Sequence, residues 1–194
     1  MEENIAILKS FIDAIQPLSD EAWFDFIQIW ESKSYGRKEV ITTAGKREDA
    51  LYFVMEGVQR IYYFDDQDRE ATLALSYPHS FSGVVDSFLL RQPSKYYFET
   101  LSASMLLKTS HAALTEVSEK HDEIAQLIQV ITNHAFAGVL ERMVELQCFS
   151  STEKFKKLLQ RSPQVLQLVP HKYLANYLGI NPTNFSKLLN SVKI

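Results

Sequence analysis

The spacing of apolar residues changes twice along this chain, and those two changes confine the fold more tightly than any single motif. Over residues 2–34, Ile5, Leu8, Phe11, Ile12 and Ile15 recur at steps of three and four, and "LSDEAWFDFIQIW" opens a second helical run with Ser19 as its cap. From Tyr35 to about Leu107 the period shortens. "ALYFVMEGVQRIYYFDDQDREATLALSY" holds strand-like runs rich in Tyr, Phe, Val and Ile, broken at Glu56-Gly57 and at Asp65-Asp66-Gln67-Asp68, and "KYYFETLSASMLLKTS" adds two more. Short strands separated by turn signals predict an antiparallel β-roll of the double-stranded β-helix type within an α+β chain. From about Ala112 the helical period returns, with Ile124, Leu127, Ile128, Ile131, Ala135, Val139 and Met143 in one stripe. Within about 112–147, a helix of about 25–30 residues would span roughly 40 Å, more than a small roll needs for cover. The overhang predicts a partner helix from a second copy, met by Ile124, Ile128, Ile131, Ala135 and Gly138, with Ala135, Ala137 and Gly138 small enough for close approach.

After that helix, "SSTEKFKKLLQRSP" reads as a short helix capped at Ser151 or Thr152 and ended by Pro163. Then comes "LVPHKYLANYLGINPTNFSKLLN", two helices of about two turns each, joined by Gly-Ile-Asn. Helices that short are marginal alone, so they must pack on each other and on something upstream. Pro170 suits the start of the first, Gly179 the turn, Asn181 the cap of the second and Pro182 its first position. Tyr173, Leu174, Leu178, Phe185, Leu188 and Leu189 form the inner side. Thr183, Asn184, Ser186, Lys187 and Asn190 are left facing outward, polar or basic, with no acid among them. Two crossed helices on a glycine turn are the helix-turn-helix arrangement, whose second helix enters the DNA major groove.

Charge points the same way. The 194 residues carry a net −4, yet residues 151–194 hold seven basic side chains (Lys154, Lys156, Lys157, Arg161, Lys172, Lys187, Lys193) against Glu153 alone, a net +6. The preceding 150 residues hold 13 basic and 23 acidic ones, a net −10. An acidic body with a basic end is the asymmetry of a small module that meets a polyanion. The acidic start, the absence of an apolar run near 18 residues and the lone Cys148 predict a cytoplasmic protein without signal peptide or membrane span, its thiol buried.

The order helix, roll, long helix, helix-turn-helix resembles the Crp/Fnr family of bacterial transcription regulators. The resemblance covers nearly the whole chain and is carried best by "LYFVMEGVQRIYY", similar to the family's first roll hairpin, and by "VPHKYLANYLGINPTNFSKL", similar to its helix-turn-helix. "DSFLLRQPSKYYFETL" is similar to one branch of the family. The resemblance implies a homodimer through the long helix, with the two recognition helices in successive major grooves of double-stranded DNA. His171, Lys172, Asn181, Thr183, Asn184, Ser186, Lys187 and Asn190 then become DNA-binding positions. It also implies two domains: residues 1–147, a cyclic-nucleotide-binding-like sensor with its long dimer helix, and residues 148–194, the reader. A small-molecule effector and RNA polymerase are the further partners that such a regulator would have.

Two departures qualify the resemblance. Members that bind cyclic AMP use a Gly-Glu pair on the ribose and an Arg about ten residues later on the cyclic phosphate. Here Val84 follows Gly83, and Ser94-Lys95 lies where the Arg-Ser would fall, so Gly83, Val84, Ser94 and Lys95 mark a degenerate pocket. Lys95 cannot reproduce a bidentate guanidinium contact, and cyclic AMP binding is not expected. The family's β-wing after the recognition helix is not expected either, because only Ser191 to Ile194 remain to form it.

No enzyme is expected. Phosphate-loop, dinucleotide and Gly-x-Ser-x-Gly patterns are missing, and "HSFSG" lacks a base-orienting partner. One cysteine cannot hold an iron–sulfur cluster. His79, His111, His121 and His134 lack metal-ligand spacing, which also disfavours a cupin-type enzyme. The acids at 65–70 lack the glycine and distal glutamate of a calcium loop. No metal or cofactor is predicted. The alternative is a β-roll ligand-binding or adaptor protein whose terminal helices contact a protein partner.

Overall fold

The structure, a computed structural model, describes residues 2–191. Two helices, α1 (Glu2–Ile15) and α2 (Asp20–Gln28), lead into eight strands. These are β1 (Glu31–Tyr35), β2 (Val40–Thr42), β3 (Ala50–Glu56), β4 (Gln59–Phe64), β5 (Glu70–Ser76), β6 (Phe81–Ser82), β7 (Tyr97–Thr100) and β8 (Ser104–Ser110), with the short helix α3 (Val85–Leu90) between β6 and β7. The Ser19 side chain accepts the N–H of Ala22, as its place before the second helical run predicts. Residues 31–34, read as helical, instead form β1, which lies antiparallel along β8 from Glu31↔Lys108 to Tyr35↔Ser104. Pairing with a sheet edge overrides a weak helical pattern there.

The strands make two antiparallel sheets, ordered β1-β8-β3-β6 and β2-β7-β4-β5, which face each other as a roll. Alternation sorts each strand. Phe53, Leu51 and Leu107 join Leu8, Ile12 and Phe26 of the leading helices in one core. Ala50, Tyr52, Val54, Phe98 and Leu106 fill the roll interior. Phe11 packs edge-on against Phe53, ring centroids 5.1 Å apart, and so clamps α1 to the outer face.

The helix expected over about 112–147 is two helices, α4 (His111–Lys120) and α5 (Asp122–Cys148). The break is at His121, whose backbone is extended at φ −130°, ψ 105°. Asp25 of α2 holds the corner: its carboxylate accepts from Lys120 Nζ at 2.5 Å and pairs with His121 Nε2 at 2.8 Å. The bend lets α4 cover the roll while α5 runs past it.

Four helices close the described chain: α6 (Ser151–Arg161), α7 (Val165–Leu168), α8 (His171–Leu178) and α9 (Pro182–Ser191). The cap of α6 is Ser150, in a reciprocal capping box with Glu153, one residue before the expected position. Phe155, Leu158, Val165, Val169, Leu174, Leu178 and Phe185 give these helices one core, which also takes in Val58 and Leu101 of the roll. Buried Glu145 of α5 pairs with Arg142 and Arg161, each at 3.0 Å, and Arg142 donates to the Tyr177 carbonyl, so α5, α6 and α8 are tied together. The expectations about a missing wing and the charge of Lys193 concern residues 192–194, outside those described. No helix among the described residues is long and apolar enough to cross a membrane.

Candidate functional site

The turn between α8 and α9 explains why both helices stop and start where they do. Gly179 closes α8 in the left-handed region at φ 62°, a conformation that costs a side-chain-bearing residue about 1–2 kcal/mol. Asn181 Oδ1 then accepts the Thr183 N–H at 2.8 Å and caps α9, so this predicted DNA contact has its acceptor spent inside the protein. Phe185 is buried edge-on against Phe155, centroids 5.5 Å apart, and His171 lies 5.8 Å from the same ring. Burial of Phe185 turns the other face outward: Thr183, Asn184, Ser186, Lys187 and Asn190 are all exposed. No acidic side chain interrupts α9. His171 and Lys172 are exposed at the start of α8, with Lys172 Nζ 4.5 Å from the Tyr173 ring centre. Across from them is Glu70 of β5, held below the usual carboxylate range first by its bonds to Arg60 and further by the charges of Arg60 and Lys172.

The second candidate site, the roll interior, is filled around Gly83 and Val84. Gly83 has φ 118°, and a Cβ added there would come within 3.2 Å of the Tyr52 ring. Val84 is buried with Tyr52, Val54, Phe98 and Leu106. Buried Ser94 is occupied locally: its Oγ accepts the Tyr96 N–H at 2.8 Å and donates to the Tyr96 carbonyl at 2.7 Å. Lys95 is exposed. These four residues therefore do not line one pocket. The cavity at the roll's mouth, about 350 Å³, is bordered by Thr42, Lys46, Glu48, Tyr52 and Lys108 instead.

Glu48 is the unexpected group here. Only 3% exposed, its carboxylate accepts the Thr42 hydroxyl at 2.6 Å and the Ala50 N–H at 3.3 Å. Burial pushes its carboxyl up against these bonds. A raised value means that the folded state holds the proton more tightly than the unfolded chain. The resulting stability is fully present below the ordinary value of 4.5 and is lost as pH rises through the raised one. Wild-type stability should thus fall over that window, and Glu48→Gln should remove the slope. Denaturant melts across the pH range test this; an unchanged slope in the variant would mean that Glu48 is not the group responsible.

The expected dimer contacts need correction. Ile124 is fully buried in the core with the leading helices, and Ile128 and Ile131 are half-buried against it. At 100° per residue, Gly138 lies on the side of α5 that carries buried Arg142 and Glu145. Ala135 is exposed at the margin. The free apolar face is made by Phe136, Val139, Leu140, Met143, Val144 and Leu146, of which Phe136 is 63% exposed. Cys148, expected to be buried, is exposed at the end of the same helix.

Two further residues escaped the sequence reading, Arg60 and Asn176. Arg60 is 4% exposed and paired with Glu99 at 2.6 Å and Glu70 at 2.7 Å. Asn176 of α8 reaches β5, 104 residues away, and no local pattern announces a contact of that span.

Residues 32–121 match the family model described as "Cyclic nucleotide-binding domain". Among solved structures, FixK2 from Bradyrhizobium japonicum is similar with a TM-score of 0.74 at 16% identity, over 84% of this chain and 83% of that one. CLP from Xanthomonas campestris, a c-di-GMP responsive global regulator, gives 0.67 at 16% identity, over 89% and 90%. The Thermus thermophilus catabolite activator protein gives 0.57 at 21% identity, over 90% and 83%. No curated protein matches the chain in sequence. Residues 32–121 are thus similar to a cyclic nucleotide-binding domain, and the chain as a whole has the fold of the Crp/Fnr regulators.

Proposed function

We propose that this protein is a homodimeric, DNA-binding transcription regulator of the Crp/Fnr type, without catalytic activity. The observation that carries the reading is the outer face of α9, where Thr183, Asn184, Ser186, Lys187 and Asn190 stand exposed around a buried Phe185. Short polar and basic side chains on one helix face match the donors and acceptors of base edges. His171 and Lys172, at the start of the supporting helix, take the phosphates on this reading. The roll serves as the sensor half, residues 1–147, and the helices from 148 onward as the reader. RNA polymerase is the partner such a regulator would engage. The regulators FixK2, CLP and catabolite activator protein, whose fold this chain shares, support the class and not the operator.

Selection of bound sites from random duplex DNA tests the reading. A two-fold dimer should recover a palindrome with half-sites about 10–10.5 base pairs apart, centre to centre. Lys187→Ala should cost about 1–3 kcal/mol and relax one position if that side chain reads guanine. Lys172→Ala should weaken all sequences alike and lower the salt slope by about one. No palindrome, with binding indifferent to Lys187 and Asn190, would assign the terminal helices to a protein partner.

A further inference from the structure

The free edge of β5 carries a contact with the reader helices that no cassette or recognition helix accounts for. Strand β5 is terminal in its sheet, so one side of its backbone lacks a strand partner. The Asn176 side chain takes that place. Its Oδ1 accepts the Thr72 N–H at 2.5 Å and its Nδ2 donates to the Glu70 carbonyl at 2.8 Å, the alternate backbone groups that a neighbouring strand would engage. Beside it, the Arg60 guanidinium lies 3.9 Å from the Tyr62 ring centre and 4.3 Å from that of Tyr173 on α8. Glu70 and Glu99 hold the guanidinium in plane, and Thr72 Oγ1 accepts from it at 3.2 Å. Elsewhere the reader meets the roll through apolar side chains, Val58, Leu75 and Leu101, and through the Tyr77 hydroxyl, which pairs with Ser162, while Glu145 and Arg142 of α5 hold Arg161 and the Tyr177 carbonyl.

These two kinds of contact do different work. Apolar burial is non-directional and tolerates small rotations, whereas a bidentate amide on a strand edge and a stacked, ion-paired guanidinium fix both register and angle. Helices α6 to α9 share one core, so fixing α8 constrains α9.

We propose that Asn176 and Arg60 are positioning residues that set the angle of α9 relative to the roll, and thereby the half-site spacing which the dimer accepts. The inference rests on the DNA-binding reading and deepens it. Positioning matters only when both subunits engage one duplex; a single half-site is read by one α9, whatever its angle to the dimer axis. The signature is therefore a loss confined to two-site binding, where the second contact is intramolecular and geometry-limited.

The test compares the full-length dimer on the selected palindrome, on the same duplex with one half-site scrambled, and on duplexes with the half-sites moved by one or two base pairs. Asn176→Ala should lose about ten- to a hundredfold on the palindrome, keep its single-half-site affinity and discriminate less against altered spacing. Thr72→Pro removes the matching N–H from the roll side, together with the hydroxyl that accepts from Arg60, at an edge where proline is tolerated, and should reproduce that pattern without changing a residue of the reader. Equal losses on one and two half-sites would show a folding defect alone and overturn the positioning role, as would no loss in either variant. If wild type binds none of the duplexes, the DNA-binding reading itself fails and this inference with it.

Discussion

Phe136→Glu should convert a dimer into a monomer. On α5 the residues Thr132, Phe136, Val139, Met143 and Leu146 follow one another at steps of four, three, four and three, the spacing of a two-helix seam. Leu140 and Val144 widen the stripe, and all of these apolar side chains lie open on the single chain. Contiguous apolar surface on that scale, rimmed by polar residues, marks an association site. Two parallel copies of α5 would bury both stripes, which offsets the entropy of association by several kcal/mol. A glutamate at 136 faces its symmetry mate across the seam, so two like charges lose water together. The dissociation constant should rise by at least about 10²–10³, a cost of roughly 3–4 kcal/mol, measured by sedimentation equilibrium. Gly138→Leu is the internal control. Its position is off the stripe, and an added Cβ there meets nothing within 4 Å, so the dimer should persist. A wild type that sediments as a monomer at tens of micromolar would remove the seam from consideration.

That control reverses an expectation from the sequence, and the reason shows where linear reading stops. Ile124, Leu127, Ile128 and Ile131 hold a helical stripe because α5 lies on the leading helices there; Phe136 to Leu146 hold another because it leaves them. The two stripes occupy different faces of one helix. An apolar period reveals that a face is buried, not which neighbour buries it. The turns at Glu56-Gly57, which carries the chain from one sheet to the other, and at Asp65–Asp68, which closes the β4–β5 hairpin, were legible for the opposite reason, since their turn residues and the alternation beside them are local. The pairing of Gly179, Asn181 and Phe185 was legible too, because caps and turns act within a few residues. His121 breaks its helix through Asp25, and Asn176 binds β5, in both cases over about a hundred residues of chain. Buried Glu48 likewise has no sequence signature, since its partner Thr42 is met only when the loop closes.

The other large effect concerns cyclic AMP, which should show no binding to this protein at cellular concentrations. The pattern of nucleotide-binding relatives calls for an acid after Gly83 and an arginine near residue 94; this chain has Val84 and Ser94. Each missing charged contact is worth about 1.5–3 kcal/mol, so the pair costs roughly two to four orders of magnitude in affinity. Packing adds a second obstacle of a different kind. Tyr52 and Phe98, ring centroids 5.4 Å apart, fill the interior together with Val84, and Tyr35 lies edge-on to Tyr52. A purine entering there would have to displace aromatic side chains already removed from water, and the buried Glu48 carboxylate repels a cyclic phosphate when ionised. Restoring the two charges by Val84→Glu with Ser94→Arg should therefore fail to restore binding, because the space is taken. Adding Tyr52→Ala to that pair opens the volume and should give a measurable complex. Isothermal calorimetry that finds a micromolar, one-per-subunit complex with the wild type would sink the expectation and make the roll a nucleotide sensor after all. Binding by the double variant with Tyr52 intact would show instead that charge alone, and not packing, had closed the site.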